Sequence, residues 1–293
     1  MRFIFLPLLS LLGSLAIAQE SGNLIRQDEV TRVEKILSAD DMQGRQVFTP
    51  GIEKAADFII GEFKAAGLKP LEGNPDFRQN FTMVQTKLTE ASARLDDQEL
   101  DPAQIIGFTE LPELSVTPED HYQKVIIKKE DNFREIVFQY LETDKNFLIL
   151  VDTSFAKSFA RLAQFHMPQF EGSGNRIFLL TSLDPVQYQI RIRQQISKQN
   201  LTNIVGMLPG RSLKNEYVIF SAHYDHLGIG KPDAQGDSVF NGANDDASGT
   251  TAVITLAKYF SKLKNNGRTI IFAAFTAEEI GEFGSAYFSK QFN

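Results

Sequence analysis

Five side chains in the C-terminal third of the chain have the types and spacing for metal-assisted chemistry: His223 and Asp225 in SAHYDHLG, Asp245 in NDDASG, and the consecutive Glu278 and Glu279 in FTAEEIG. An imidazole and several carboxylates in one crevice form the donor set of a divalent cation, and with no cysteine in the chain zinc is the favoured one. Two cations about 3.5 to 4 Å apart need a shared carboxylate, and Asp245 at a helix start is the candidate bridge. Consecutive glutamates leave the backbone in different directions, so one can ligate metal while the other stays free as a base. Asp225, two residues past His223, is placed to accept the second imidazole N–H and fix the ring. Taken singly, an EE pair is an ordinary solvated helix start and DDASG an ordinary N-cap. Their coincidence at the ends of apolar strands has little structural reason, because charge there must be solvated or neutralised.

The elements that would position these groups are legible from periodicity. NIVGMLPG, EYVIFSAH and RTIIFAAFTAEE contain short continuous apolar runs that fit strands buried on both faces. Between the last two, Ala252, Val253, Leu256 and Phe260 mark one stripe of a helix. Strand, helix, strand is the unit of an α/β fold with a mostly parallel, mixed central sheet and helices on both faces, in which ligands bind beyond the carboxyl ends of the strands. Upstream, Asp28–Leu37 suits a short amphipathic helix and 40–51 a loop. Ile52, Ala55, Ala56, Ile59, Ile60, Phe63 and Ala66 then repeat at helical spacing, ended by a left-handed Gly67. Residues 86–198 differ in texture, with acidic, proline-containing stretches around KVIIKK, REIVFQY and NFLILVD, all read as strands, and are taken as an inserted subdomain. This divides the chain into 1–18, 19–85, 86–198 and 199–293. His121 and His166 fall in the insert without partners at ligand spacing and read as solvated or core residues, and His226 reads as a loop residue near the site mouth. The NFT and NLT triplets at Asn80 and Asn200 carry no weight.

Composition narrows the rest. With 42% hydrophobic and 23% charged residues the chain is an ordinary globular protein. The net charge of −7, from 30 basic and 37 acidic residues without a basic cluster, argues against a nucleic-acid partner. Residues 1–18, MRFIFLPLLSLLGSLAIA, have the charged start, apolar run and Ala-x-Ala end of a signal peptide, and Pro7, Ser10 and Gly13 interrupt the run too early for a membrane span. The expectation is an exported protein, periplasmic or extracellular, without a membrane span after cleavage.

HYD, GANDDASGT and RTIIFAAFTAEEIGEFGSAYF, preceded by DMQGR and the helix leading into GLKP, resemble the successive motifs of the di-zinc exopeptidase family of bacterial leucyl aminopeptidase and glutamate carboxypeptidase. The resemblance covers roughly 35–85 and 200–293; the insert is uncovered, a place where some relatives carry a protease-associated domain. It implies the phosphorylase/hydrolase-like zinc exopeptidase architecture and two Zn2+, with His223 on one, Asp245 bridging and Glu279 on the other. It also implies Glu278 as the base for a zinc-bound water, Asp225 as the residue orienting His223, and a peptide substrate, with an aminopeptidase ahead of a carboxypeptidase. The family's remaining ligands, an aspartate and then a histidine, lie well downstream of the glutamate pair, whereas no His follows His226 and no Asp follows Asp246. The expectation is therefore a C-terminally truncated member, inactive by itself. Two other readings stay open at this stage: a glutaminyl-cyclase-like enzyme with a single zinc, and a catalytically inactive peptidase-like binding module.

Overall fold

A computed structural model of the chain describes residues 24–291 except 142, 165–167 and 173. The expected signal segment 1–18 and His166 lie outside the described residues. The helices that matter are α1 (Gln27–Leu37), α2 (Pro50–Ala66), α3 (Phe133–Leu141), α4 (Ala156–Gln164), α5 (Ser248–Leu263) and α6 (Phe283–Ser289). The principal strands are β1 (Arg78–Leu95), β2 (Ile105–Phe108), β3 (Gln123–Ile127), β4 (Phe147–Val151), β5 (Arg176–Leu180), β6 (Tyr188–Leu208), β7 (Leu213–His223) and β8 (Arg268–Phe275).

The architecture is α/β with a mixed central sheet, ordered β7, β8, β6, β1. β7 and β8 run parallel, joined through α5, while β8 and β6, and β6 and β1, pair antiparallel. β1 and β6 stay in register from Arg78 opposite Ile204 to Leu95 opposite Tyr188, with one bulge at Arg193 and Gln194. The ribbon they form carries the chain from the central sheet to a second sheet, ordered β2, β5, β4, β3. The positions 86 and 198 therefore fall inside continuous strands.

Helices cover both faces of the central sheet. On one, Val33 and Leu37 of α1, Ile59 and Phe63 of α2, and Val253 and Ala257 of α5 pack on Ile270, Phe272 and Ala274 of β8. On the other, Val205, Ile271 and Ala273 pack with Phe288 of α6. Because successive strand residues point to opposite faces, β8 is buried from Thr269 to Ala274, as its unbroken apolar run predicts. Gly67 ends α2 at φ +76°, the left-handed cap expected.

Three local expectations are corrected. REIVFQY is helical, not a strand: Phe133, Ile136, Val137, Tyr140 and Leu141 recur at three- and four-residue spacing and join one core with β3 to β5. The core-facing stripe of α5 is Thr250, Val253, Ile254 and Ala257, flanked by Leu256 and Phe260, and Ala252 is exposed on the far side. β7 is not buried on both faces. It is the edge strand among the described residues, paired only with β8, and Tyr217, Val218 and Ile219 are exposed.

The join between β6, β8 and α6 rests on a fully buried polar side chain. Asn203 donates to Gln79 Oε1 and to the Gly284 carbonyl, both at 2.8 Å, and accepts from the Thr276 N–H at 3.1 Å. Removing it orphans buried donors and acceptors, so Asn203→Ala is expected to cost about 3 kcal/mol. Urea unfolding checks this, and a loss below about 1 kcal/mol would show that Asn203 does not hold the join.

Candidate functional site

The candidate site lies where β7 and β8 end. His223 is the last residue of β7, and Glu278 and Glu279 follow β8 by a short turn. Between them in sequence, Ala243–Ala247 form an irregular turn ahead of α5, which brings Asp245 to the same end of the sheet. Asp246 ties that turn down: its carboxylate accepts the His223 N–H at 3.2 Å and the Gly249 N–H at 2.9 Å, the latter serving as a cap for the first turn of α5. Thr250 adds a bond from its hydroxyl to the His223 carbonyl at 2.8 Å. Gly242 enters the turn at φ +57°, where a Cβ would meet the Asp245 carbonyl at 2.4 Å, so only glycine lets the chain double back here.

The residues singled out from the sequence do come together. His223 Nε2 is 3.1 Å from Asp245 Oδ1 and 3.8 Å from Glu278 Oε2. Its Nδ1 lies 3.2 Å from the backbone carbonyl of Asp225 and 3.7 Å from that residue's carboxylate. Asp225 thus meets the ring first through its main chain. Its buried carboxylate instead accepts the backbone N–H groups of Glu278 at 3.2 Å and Glu279 at 3.4 Å. Ligand atoms of Asp245, Glu279 and His226 all lie within 4.8 Å of one another. That donor set, imidazole and carboxylate without thiol, fits a borderline divalent cation such as zinc.

Two participants escaped the reading of the sequence. His226 is not at the site mouth: it is 9% exposed, and its Nδ1 is 2.6 Å from Glu279 Oε1. Arg45, from the DMQGR stretch, is fully buried beneath the site and donates to the carbonyls of Leu37, Tyr224, Asn241 and Gly242. It thereby holds the HYD loop against the turn that carries Asp245, and its own carbonyl accepts the His226 N–H at 3.1 Å. Burial pushes its guanidinium down from the usual value, opposed by Asp225 and Asp246. A single arginine in a polar loop carries no sequence signal for this; for His226, the spacing HYDH was the available hint.

The electrostatics follow from crowding carboxylates around an imidazole. Burial favours the neutral form of His223, but Asp225, Asp246 and Glu278 outweigh it and hold the pKa up at about 9. Glu278 is raised from the ordinary carboxylate value by burial and then by Glu279, Asp225 and Asp245, with His223 opposing.

The model of peptidase family M28 matches residues 203–293, the segment that supplies all of these groups except Arg45. A probable zinc metalloprotease of Pyrenophora tritici-repentis is 40% identical over 86 residues, 29% of this chain and 19% of that protein. Aminopeptidase YwaD of Bacillus subtilis is 29% identical over 93 residues, 31% of this chain and 18% of that protein. These matches thus span less than a fifth of the curated relatives' length. Among solved structures, an aminopeptidase from Aneurinibacillus sp. strain AM-1 aligns with a TM-score of 0.45 at 16% identity, over 91% of this chain and 66% of that one.

The raised pKa of His223 sets a pH dependence. Its folded value lies above the ordinary 6.5, so without metal its protonation stabilises the fold fully below pH 6.5, and that contribution is lost as pH rises through about 9. A cation ligated through His223 Nε2 would have to displace that proton in this window. Zinc titration at about pH 7.5 is therefore expected to release about one proton from this ring, and none well above pH 9. Calorimetry in buffers of different ionisation heat measures this; zero release at neutral pH would contradict the assigned charge state.

Proposed function

Because the model of peptidase family M28 matches residues 203–293, and a probable zinc metalloprotease and an aminopeptidase are among the similar proteins, we propose that the whole protein is an exported zinc exopeptidase, an aminopeptidase ahead of a carboxypeptidase. The observation that carries the reading is the convergence of His223, Asp245 and Glu279 at one end of the sheet, with Glu278 beside them. In this reading the protein holds two zinc ions, His223 on one, Glu279 on the other, and Asp245 between them. Asp245 suits a shared role because its Oδ1 lies 3.1 Å from His223 Nε2 and a carboxylate oxygen lies within 4.8 Å of a ligand atom of Glu279. Export is inferred from the signal-like residues 1–18, and among the described residues no helix is long and apolar enough to cross a membrane.

Zinc, when bound, would polarise the scissile carbonyl and acidify the attacking water. Glu278 is the base. Its carboxylate is 41% exposed, so it faces the crevice, and its raised pKa suits a group that must take up a proton and give it back. It removes a proton from the attacking water as the new C–O bond forms, then delivers that proton to the amine as the C–N bond breaks. Asp225 holds the backbone N–H groups of both glutamates, so the base and the neighbouring ligand keep a fixed relation while the proton moves.

Glu278→Gln keeps the shape of the side chain and removes the base. In the protein as its cell makes it, zinc content is expected to stay unchanged while turnover of aminoacyl-nitroanilides falls about 100-fold or more. Near-normal turnover would remove Glu278 from the role, and loss of zinc would make it a ligand.

A further inference from the structure

A cavity of about 360 Å³ lies between residues 47–53, which lead into α2, and residues 200–202 of β6. Tyr224 lines it from the loop after β7 and Thr276 from the turn after β8, so it adjoins both segments that carry the candidate metal site. Val47, on its wall, shares a core cluster with Ala277, the residue before Glu278. We propose that this cavity is a subsite that receives an apolar side chain of the peptide substrate, with Phe48 as the wall that closes over it. The inference rests on the peptidase reading above and adds to it the kind of substrate residue that the crevice selects.

The lining decides the chemistry. Val47, Ile52 and Leu201 supply aliphatic surface, and Phe48 and Tyr224 supply aromatic rings. The polar groups between them are matched from within the chain. The Tyr224 hydroxyl donates to the Thr202 carbonyl at 2.6 Å, the Thr49 hydroxyl to the Gln46 carbonyl at 2.6 Å, and the Thr202 hydroxyl to Asn80 Oδ1 at 2.7 Å. Glu53, the acidic group of the lining, accepts from Arg78 at 3.2 Å. An incoming charge or amide would have to break one of these bonds to be satisfied, whereas an apolar side chain gains contact and leaves them intact. The volume has room for one large aliphatic or aromatic side chain.

Phe48 is a second and independent sign. Its backbone stands at φ +64°, the left-handed region that glycine enters freely and a bulky residue enters under strain. The residue is nevertheless 46% exposed. Strain that presents a half-exposed aromatic ring at a cavity is the kind that a binding site retains, because the ring gains its remaining burial only when the cavity is filled. The competing role is structural: Phe48 would only pack at the entry to α2, and the cavity would hold solvent.

Two variants separate the roles. Phe48→Gly removes the wall and relieves the backbone, and Asn200→Trp fills the cavity from β6 at an exposed strand position that suits a tryptophan. On the protein as its cell makes it, kcat and KM are measured for tripeptides that carry glycine or phenylalanine at each position in turn. The wild type is expected to favour phenylalanine in at least one position by about 10-fold or more in kcat/KM. Each variant is expected to reduce that preference to about 3-fold or less, chiefly through a higher KM for the phenylalanine peptide, with an unfolding midpoint near that of the wild type. Preferences unchanged in the folded variants, or a wild type that turns over glycine and phenylalanine peptides equally, would overturn the subsite and leave the peptidase reading standing. Failure of the zinc-loaded wild type to hydrolyse any peptide would overturn that reading and the subsite with it.

Discussion

Asp225 has no exposed surface, and a carboxylate so placed must be matched by donors. It finds them in the backbone N–H groups of Glu278 and Glu279, in the turn that follows the neighbouring strand, while Arg45 contributes positive charge from below. The rest of the site depends on this arrangement. It fixes the turn after β8 relative to the loop after β7, and so sets where Glu278 and Glu279 stand against His223. The roles expected of Asp225 and shown by the geometry differ in emphasis: its carboxylate governs the glutamate turn, while its main-chain carbonyl is the closer partner of the His223 ring.

Arg45 performs the complementary task with neutral partners. By donating to carbonyls on the N-terminal segment, the HYD loop and the Gly242 turn, it joins three stretches far apart in sequence without an ion pair. Asp246 closes the assembly by linking β7 to the start of α5. Buried charged groups fully matched by main-chain partners specify one geometry, because any shift of a loop leaves a donor or acceptor unpaired. The excess of carboxylates this creates is what keeps His223 protonated and Glu278 reluctant to ionise when no cation is bound.

Much of this was legible in the sequence. Apolar runs located β7 and β8, helical spacing located α2 and α5, and the rule that ligands gather at carboxyl strand ends brought His223, Asp245, Glu278 and Glu279 together correctly. What was not legible depended on tertiary context. The stretch REIVFQY has a composition suited to a strand, and only packing of Phe133, Val137 and Tyr140 on one side settles it as helix. The exposure of Val218 and Ile219 reflects the place of β7 at the sheet edge, which no local pattern encodes. Arg45 and His226 act through contacts with distant backbone and with a residue in the turn after β8, so neither has a periodicity to betray it.

On the proposed zinc reading, the Asp225 carboxylate, by holding the glutamate turn, would set the geometry of the candidate metal centre. The most direct measurement is the zinc Kd of Asp225→Asn, taken with the unfolding midpoint of the same variant. The amide keeps the size of the side chain but opposes one of the two N–H donors with its own. A folded protein whose zinc binding is weaker by about 10- to 100-fold is expected. A folded variant with unchanged zinc affinity would contradict it.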